Sequence, residues 1–334
     1  MDQQNTLSKS DPILLTGCAG FIGHHTAAHL IAQGHRVVGL DNCNNYYDPK
    51  IKHKNLELLR GMKGDFSCEI GDIRDTALVS RMFKTHKPAT VIHLAAMAGV
   101  RASIDDPTLY TDVNVTGTMN ILNQAVLHDA QHVVFASTSA VYGNTTTIPF
   151  TEDDIGIMPV SPYGASKLAT EHLGSCWNYV HGINTTALRF FTVYGPRGRP
   201  DMMMLHLLNS ILTGNEVPYH NGGEMYRDWT YIADIVDGIV RAAARPDGFQ
   251  VYNLGRGEPV RLGDVVEMLR ALTDRSPNLR PIPMPKVDIF KTHADISRAR
   301  THLGYAPSVS VTEGLEAIVE WFCREHPEIK TKAS

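Results

Sequence analysis

The sequence predicts an α/β protein, a doubly wound parallel sheet followed by a smaller C-terminal α/β substrate domain. Three observations carry this expectation. Short, almost wholly apolar runs alternate with longer segments of helical periodicity through the first 190 residues, the pattern of buried parallel strands with crossover helices. A glycine-rich turn joins the first apolar run to the first helical segment. After Phe190 the alternation gives way to loops rich in Gly, Pro and Arg. The 334 residues suffice for two domains, placed at 1–190 and 191–330 with a returning segment near 231–257.

The elements follow in order. Ile13–Thr16 reads as a strand and 21–33 as a helix. Strands are expected at 36–41, 66–70, 90–95, 132–137 and 185–190. A long helix is expected over 106–129 and another over 161–180. The 231–244 segment looks like a helix able to pack back on the first domain. Helices at 263–272 and 312–324 and an irregular, proline-rich connection at 275–285 complete the chain.

Composition excludes several classes. With 31 Lys+Arg, 35 Asp+Glu and a net charge of −4, the chain is no basic nucleic-acid binder. No apolar run approaches the roughly 20 residues of a membrane span. The polar start, Met1 to Pro12, does not read as a signal peptide. Five cysteines without a CxxC pair fit a reducing, cytoplasmic setting rather than a disulfide scaffold.

Gly17, Gly20 and Gly23, with Phe21 and Ile22 among them, lie between a strand and a helix. The first glycine permits a tight turn, the second a close backbone approach to a pyrophosphate, the third close helix–sheet packing. Helix N-terminal amides then favour the anion. Asp41 ends the next strand, where a carboxylate can bind both hydroxyls of an adenosine ribose and would repel a 2′-phosphate. The cofactor expected is therefore NAD. Asn42 follows it, and Asp72 and Ile73 follow the third strand, where they could meet the adenine.

Tyr163 and Lys167 stand at i and i+4 on one helical face. A nearby ammonium is expected to lower the phenol pKa, making Tyr163 a proton acceptor for a sugar hydroxyl. Ser137, Thr138 and Ser139 end a strand 24 to 26 residues earlier and can supply a second hydroxyl. A second YxxxK, Tyr46 to Lys50, is discounted because Pro49 disfavours a helix there.

At these residues the chain resembles the extended short-chain dehydrogenase/reductase family. TGCAGFIG, LDN, GDI, VIHLAA, STSAVYG, SPYGASK, RFFTVYGPRGRPDM and YRDWTYIADIVDGI occur in that order. The resemblance spans about residues 12–322 and is nearest the UDP-glucuronate 4-epimerases, with UDP-galactose 4-epimerases more distant. It implies a Rossmann cofactor domain, catalytic Tyr163, Lys167 and Thr138, and cofactor contacts at Leu94, Ala95, Ala96, Asn114 and Phe190. It implies substrate contacts at Ser139, Thr192, Arg227 (on the diphosphate), Val217 and Tyr219 (at the uracil) and Asp288, and a homodimer. Asp288 follows Val287 where relatives have Gly, and Met284-Pro285-Lys286 offers only a lysine where the galactose enzymes grip the nucleotide with an arginine.

Family dehydratases carry Asp-Glu, and decarboxylases Ser-Glu, before the Val-Tyr-Gly; here the Glu position is Ala140. Without that acid, rotation of a 4-keto sugar and hydride return, hence C4 epimerisation, is the simpler outcome. Arg199, in GRPDM, is expected to hold a uronate carboxylate, with pairing to Asp201 as the competing reading and Arg101 as the rival cation. A UDP-glucose or UDP-N-acetylhexosamine 4-epimerase and a UDP-glucuronate decarboxylase are the alternatives. His25 and His29 have a metal-ligand spacing but no completing ligand, so no metal is expected. Lys50–Lys54 reads as a solvated helix face.

Overall fold

The structure is a computed structural model that describes residues 7–145, 147–154 and 156–327. The first six residues, on which the N-terminal reading partly rests, and residues 328–330, the end of the expected second domain, lie outside the described residues.

The first half runs β1 (Ile13–Thr16), α1 (Phe21–Ala32), β2 (Val37–Asp41), α2 (Pro49–Arg60), β3 (Phe66–Ile70), α3 (Thr76–His86), β4 (Thr90–His93), α4 (Ala102–Asp105), α5 (Pro107–Thr111), a π-helical turn over Asp112–Thr116, α6 (Gly117–Leu127), β5 (His132–Thr138), α7 (Pro162–His181) and β6 (Asn184–Phe190). There follow β7 (Thr192–Tyr194), α8 (Met203–Thr213), β8 (Glu216–His220), β9 (Tyr226–Arg227), β10 (Trp229–Tyr231), α9 (Ile232–Ala243), β11 (Phe249–Leu254), β12 (Val260–Arg261), α10 (Leu262–Thr273), β13 (Asn278–Ile282), α11 (Ser297–Leu303) and α12 (Val311–Glu325).

Seven parallel strands form the main sheet in the order β11-β6-β5-β4-β1-β2-β3. The order reverses between β1 and β4, and ligands bind at such a switch point, beyond the strands' carboxyl ends. Side-chain alternation feeds a core on each face. Ile13, Leu15, Val37, Ile92 and Val134 enter one cluster, and Leu14, Val38, Val91, Val133 and Phe135 the other. Burying each such side chain is worth ~1.5–3 kcal/mol. This two-sided burial is why the strands read as continuous apolar runs.

Residues after 231 return to the first layer. Ile235, Ile239 and Ala242 of α9 join the core cluster that holds α1, and β11 pairs with β6 from Phe249↔Thr185 to Leu254↔Phe190. A third cluster, with Leu207, Leu208, Val217, Trp229, Val265, Leu315 and Phe322, packs the remaining C-terminal elements.

The 106–129 helix is continuous from Pro107 to Leu127 with a π turn at Asp112–Thr116, where Asn114 turns inward to bond Met97 and Ser166; π turns recur at functional sites. Three local expectations are corrected. The 275–285 connection contains β13, which pairs in parallel with β8. Strand β4 ends at His93, so Leu94 and Ala95 belong to the following loop. Pro49 starts α2 rather than preventing a helix, because a first-turn proline loses no intrahelical bond.

Candidate active site

The turn from β1 to α1 is shaped by close backbone approach. Gly17 has φ +74°, and a Cβ there would stand 2.7 Å from the Ala95 nitrogen. A Cβ on Gly23 would lie 2.0 Å from the Gly17 oxygen. Gly20 precedes α1 with no side-chain cap, so the first-turn amides remain for an external anion. Gly17, Gly20, Phe21, Ile22 and Gly23 all border the cleft.

Asp41 stands at the carboxyl end of β2, almost wholly buried, on the same cleft. Its carboxylate accepts from the Ala19 and Cys43 amides at 3.0 and 2.9 Å, which locks it against the glycine turn. Asn42, Ile73, Leu94, Ala95, Ala96 and Phe190 border the cleft too. These groups suit a dinucleotide: backbone amides for the pyrophosphate, an acceptor for ribose hydroxyls, and apolar walls for the rings. Asp72 and Asn114 have partners within the chain. The Asp72 carboxylate is taken by Arg74 at 2.9 Å and by Asn42 at 3.0 Å, and Arg74 holds it down at about 2. Gly71 and Ile73, not Asp72, face the cleft. Asn114 is buried behind it, and its amide fixes the Met97 backbone.

Ser161 caps α7, accepting from the Gly164 amide at 3.1 Å, and sets Tyr163 and Lys167 one turn apart facing the end of β5. Lys167 Nζ donates to the Ala136 carbonyl at 2.9 Å. Burial lowers its ammonium to about 8. Burial raises the Tyr163 phenol, while its hydrogen bond to Thr138 and the charge of Arg199 pull it back down. The expected lowering by Lys167 is thus corrected: in this protein Thr138 and Arg199 oppose the burial.

A larger cavity of about 580 Å³ adjoins the cleft, within the range that holds a drug-sized ligand. Tyr46, Thr138, Tyr163 and Arg199 border both spaces. Ser139, Ala140, Thr192, Arg101, Arg227 and Asp288 border the larger one. Arg199 makes a fork with Asp201, Nε–Oδ1 2.9 Å and Nη2–Oδ2 2.8 Å, and lies over the Tyr46 ring. Arg101 pairs with Asp288 at 2.5 Å. Both arginines expected to compete for the uronate carboxylate therefore hold carboxylates of the chain itself. Arg227 instead donates to the carbonyls of Tyr226 and Phe290, and burial lowers it to about 10.

Strand parity splits the segment expected at the uracil between core and cavity. Val217 and Tyr219 point their side chains into the third core cluster; Pro218 and His220, of opposite parity, border the cavity. His220 is buried with its Nε2 lacking a partner. Lys52 was also missed. Its Nζ bonds the Asn44 carbonyl at 2.9 Å and side chain at 2.6 Å, beside the cleft. Its stripe with Asn55, Leu56 and Leu59, all buried on one helical face, is the signal that could have found it; Lys50, His53 and Lys54 are exposed, as the solvated-face reading expects. Among the described residues no cluster of His, Cys, Asp or Glu could hold a metal ion, and no helix is long and apolar enough to cross a membrane.

A strand–turn–helix phosphate cradle at a switch point, joined to a Tyr-Lys-Thr constellation, defines a nucleotide-dependent enzyme of the short-chain type. The chain belongs to the NAD dependent epimerase/dehydratase family, whose profile matches residues 13–255. It is 39% identical over 328 residues to UDP-glucuronate 4-epimerase 4 of Arabidopsis thaliana, covering 93% of this chain and 75% of that one. An uncharacterized protein of Methanocaldococcus jannaschii is 39% identical over 312 residues, 93% of this chain and 95% of the other. The structure is similar to that of UDP-glucuronic acid 4-epimerase from Bacillus cereus in complex with UDP-glucuronic acid and NAD. Its TM-score is 0.88 at 32% identity, covering 94% of this chain and all of that one.

Proposed function

We propose that this protein is an NAD-dependent epimerase that inverts C4 of UDP-glucuronate, giving UDP-galacturonate through a transient 4-keto sugar. The observation that carries the reading is the placement of Tyr163 and Thr138 on the shared border of the dinucleotide cleft and the larger cavity. The bound dinucleotide supplies a hydride acceptor. Tyr163 takes the C4 hydroxyl proton, and Thr138 shares a hydrogen bond with it. Lys167, fixed by the Ala136 carbonyl, holds the nicotinamide ribose. Gly17, Gly20, Phe21, Ile22 and Gly23 take the pyrophosphate, and Asp41 and Asn42 the adenosine ribose. Leu94, Ala95, Ala96, Ile73 and Phe190 wall the rings.

On the substrate side Arg227, with Arg101 and Asp288, attends the nucleotide diphosphate and ribose, and His220 faces the nucleotide. Arg199 exchanges Asp201 for the uronate carboxylate, a two-point contact that ammonium groups cannot reproduce. Ser139 and Thr192 flank the same carboxylate. Ala140, bordering the cavity where an acid would stand in eliminating relatives, leaves rotation of the ketone as the favoured path. Holding the carboxylate suppresses loss of CO2 from the β-keto acid.

The same reading divides the chain into a cofactor domain, 1–190 with the returning segment, and a nucleotide-sugar domain, 191–330. It makes the enzyme a cytoplasmic homodimer. None of the five cysteines is joined in a disulfide, which supports the compartment. An exposed stripe on α7, Ala165, His172, Cys176 and Tyr179, supports pairing. Incubation with UDP-glucuronate and no added NAD tests the reaction: the expected product is UDP-galacturonate, whereas UDP-pentose with CO2 as main products overturns it.

A further inference from the structure

Two thiols meet directly beneath the glycine turn. Cys18, buried between Gly17 and Ala19, places its Sγ 3.5 Å from the Sγ of Cys68 on β3. Strand β2 runs between their strands, and its residue at this level is Gly39, paired with Cys68. A Cβ on Gly39 would stand 2.6 Å from Cys18 Sγ and 3.3 Å from Cys68 Sγ. The missing side chain is what leaves room for both sulfurs. We propose that Cys18 and Cys68 are an oxidative modification site, a thiol pair that a peroxide converts to a reversible disulfide, and that this cross-link releases the dinucleotide.

The pair has a defined polarity. Cys18 is sealed in the core, whereas Cys68 is partly exposed, so an oxidant reaches Cys68. The Cys18 thiol, hydrogen-bonded to Cys68, holds the Cys68 thiol below its ordinary range, with Arg60 adding to the effect; thiolate character and access together select the reacting sulfur. The Cys68 thiolate attacks one peroxide oxygen, breaking the O–O bond to leave a sulfenic acid and hydroxide. The Cys18 sulfur then attacks the Cys68 sulfur and displaces water as its proton is lost. In sum, two thiols and one hydrogen peroxide give one disulfide and two waters.

The coupling rests on the reading that this turn binds the pyrophosphate. A disulfide needs its sulfurs about 2.0 Å apart, so the pair must close by roughly 1.5 Å. Residues on either side of Cys18 have little slack. Gly17 abuts the Ala95 backbone. The Ala19 amide is bonded to Asp41 at 3.0 Å and its carbonyl to Asn55 at 2.9 Å. Drawing Cys18 towards β3 therefore displaces the turn and the ribose-binding Asp41 together.

The test treats the reduced holoprotein with stoichiometric hydrogen peroxide, maps unreduced peptides by mass spectrometry, and measures retained NAD by an enzymatic cycling assay on the desalted, denatured protein. The expected result is a Cys18–Cys68 linked peptide, at least a tenfold fall in retained NAD, and recovery of NAD binding after dithiothreitol. Cys68→Ser should keep its NAD through the same treatment. Absence of the linked peptide, or a Cys43–Cys68 link in its place, overturns the proposal, as does a full cross-link with undiminished NAD. The peptide map needs neither substrate nor cofactor, so it fails only if the thiol pair is wrong. A reduced protein that binds no NAD defeats instead the cofactor reading, and the coupling with it.

Discussion

Tyr163 illustrates how much a single residue depends on its surroundings. Its i,i+4 relation to Lys167 is local and was readable, as were Thr138 at a strand end and the glycines of the turn. The direction of its pKa was not, because burial is a property of the fold. A base must be ionised to work, so a raised phenol makes kcat rise as pH increases through its ionisation. Arg199 lowers that phenol; Arg199→Ala should therefore move the acid limb of the kcat profile to higher pH at saturating substrate, and an unmoved limb contradicts the assignment. The same change removes a charged hydrogen bond worth ~1.5–3 kcal/mol. It should raise KM for UDP-glucuronate about 10- to 100-fold and leave KM for UDP-glucose nearly unchanged. Tyr163→Phe should abolish turnover while NAD stays bound, checked by steady-state assay and by cofactor content. Val217 and Tyr219 show what strand parity adds: their side chains enter the core while Pro218 and His220 border the cavity, a parity decided only by the partner strand and the core.

At the scale of elements, the parallel strands and their crossovers were legible because two-sided burial leaves continuous apolar runs. The π turn was not, since its cause is the pull of Asn114 towards Met97 and Ser166, contacts distant in sequence. Strand β13 was obscured by Pro281 and Pro283, which an edge position tolerates. The elements behind the catalytic face are tied by a buried network equally invisible in the sequence. Glu171 of α7 receives Arg189 of β6 at 2.9 and 2.7 Å and the Ser137 hydroxyl of β5. Arg189 also meets the Tyr142 hydroxyl at 2.8 Å, which continues to Asn253 of β11 at 2.7 Å. With both side chains of the ion pair 4 % exposed, removing one partner strands a buried charge. Glu171→Ala should cost about 3–5 kcal/mol, measured by urea unfolding. A loss below about 1 kcal/mol would mean that the network contributes little to holding α7 on the sheet.

For the whole molecule, the two spaces meeting at Tyr163 account for a near-neutral charge: a doubly charged diphosphate and a carboxylate need a few placed arginines, not a basic surface. Acid stability is also a property of the whole. Burial holds His93 and His24 down at about 3 and His132 at about 4. Their unfolded forms protonate near 6.5. The stability that each contributes is complete above 6.5 and is lost as pH falls towards the folded value, because the unfolded state binds the proton first. Each removes roughly 1.4 kcal/mol per pH unit in that window. His93 bonds Thr16 and Thr118 across β1, β4 and α6. His93→Gln should lower the slope of unfolding free energy against pH by about one proton between pH 6 and 4; an unchanged slope would contradict the buried neutral imidazole.

In this mechanism the C4 hydrogen leaves and returns as a hydride within one closed site. Conversion of UDP-glucuronate carrying deuterium at C4, followed by NMR and mass spectrometry in ordinary water, tests it most directly. The product should be UDP-galacturonate that keeps its C4 deuterium and gains no solvent hydrogen there. Washout of the label into water, or inversion with solvent hydrogen at C4, would contradict it.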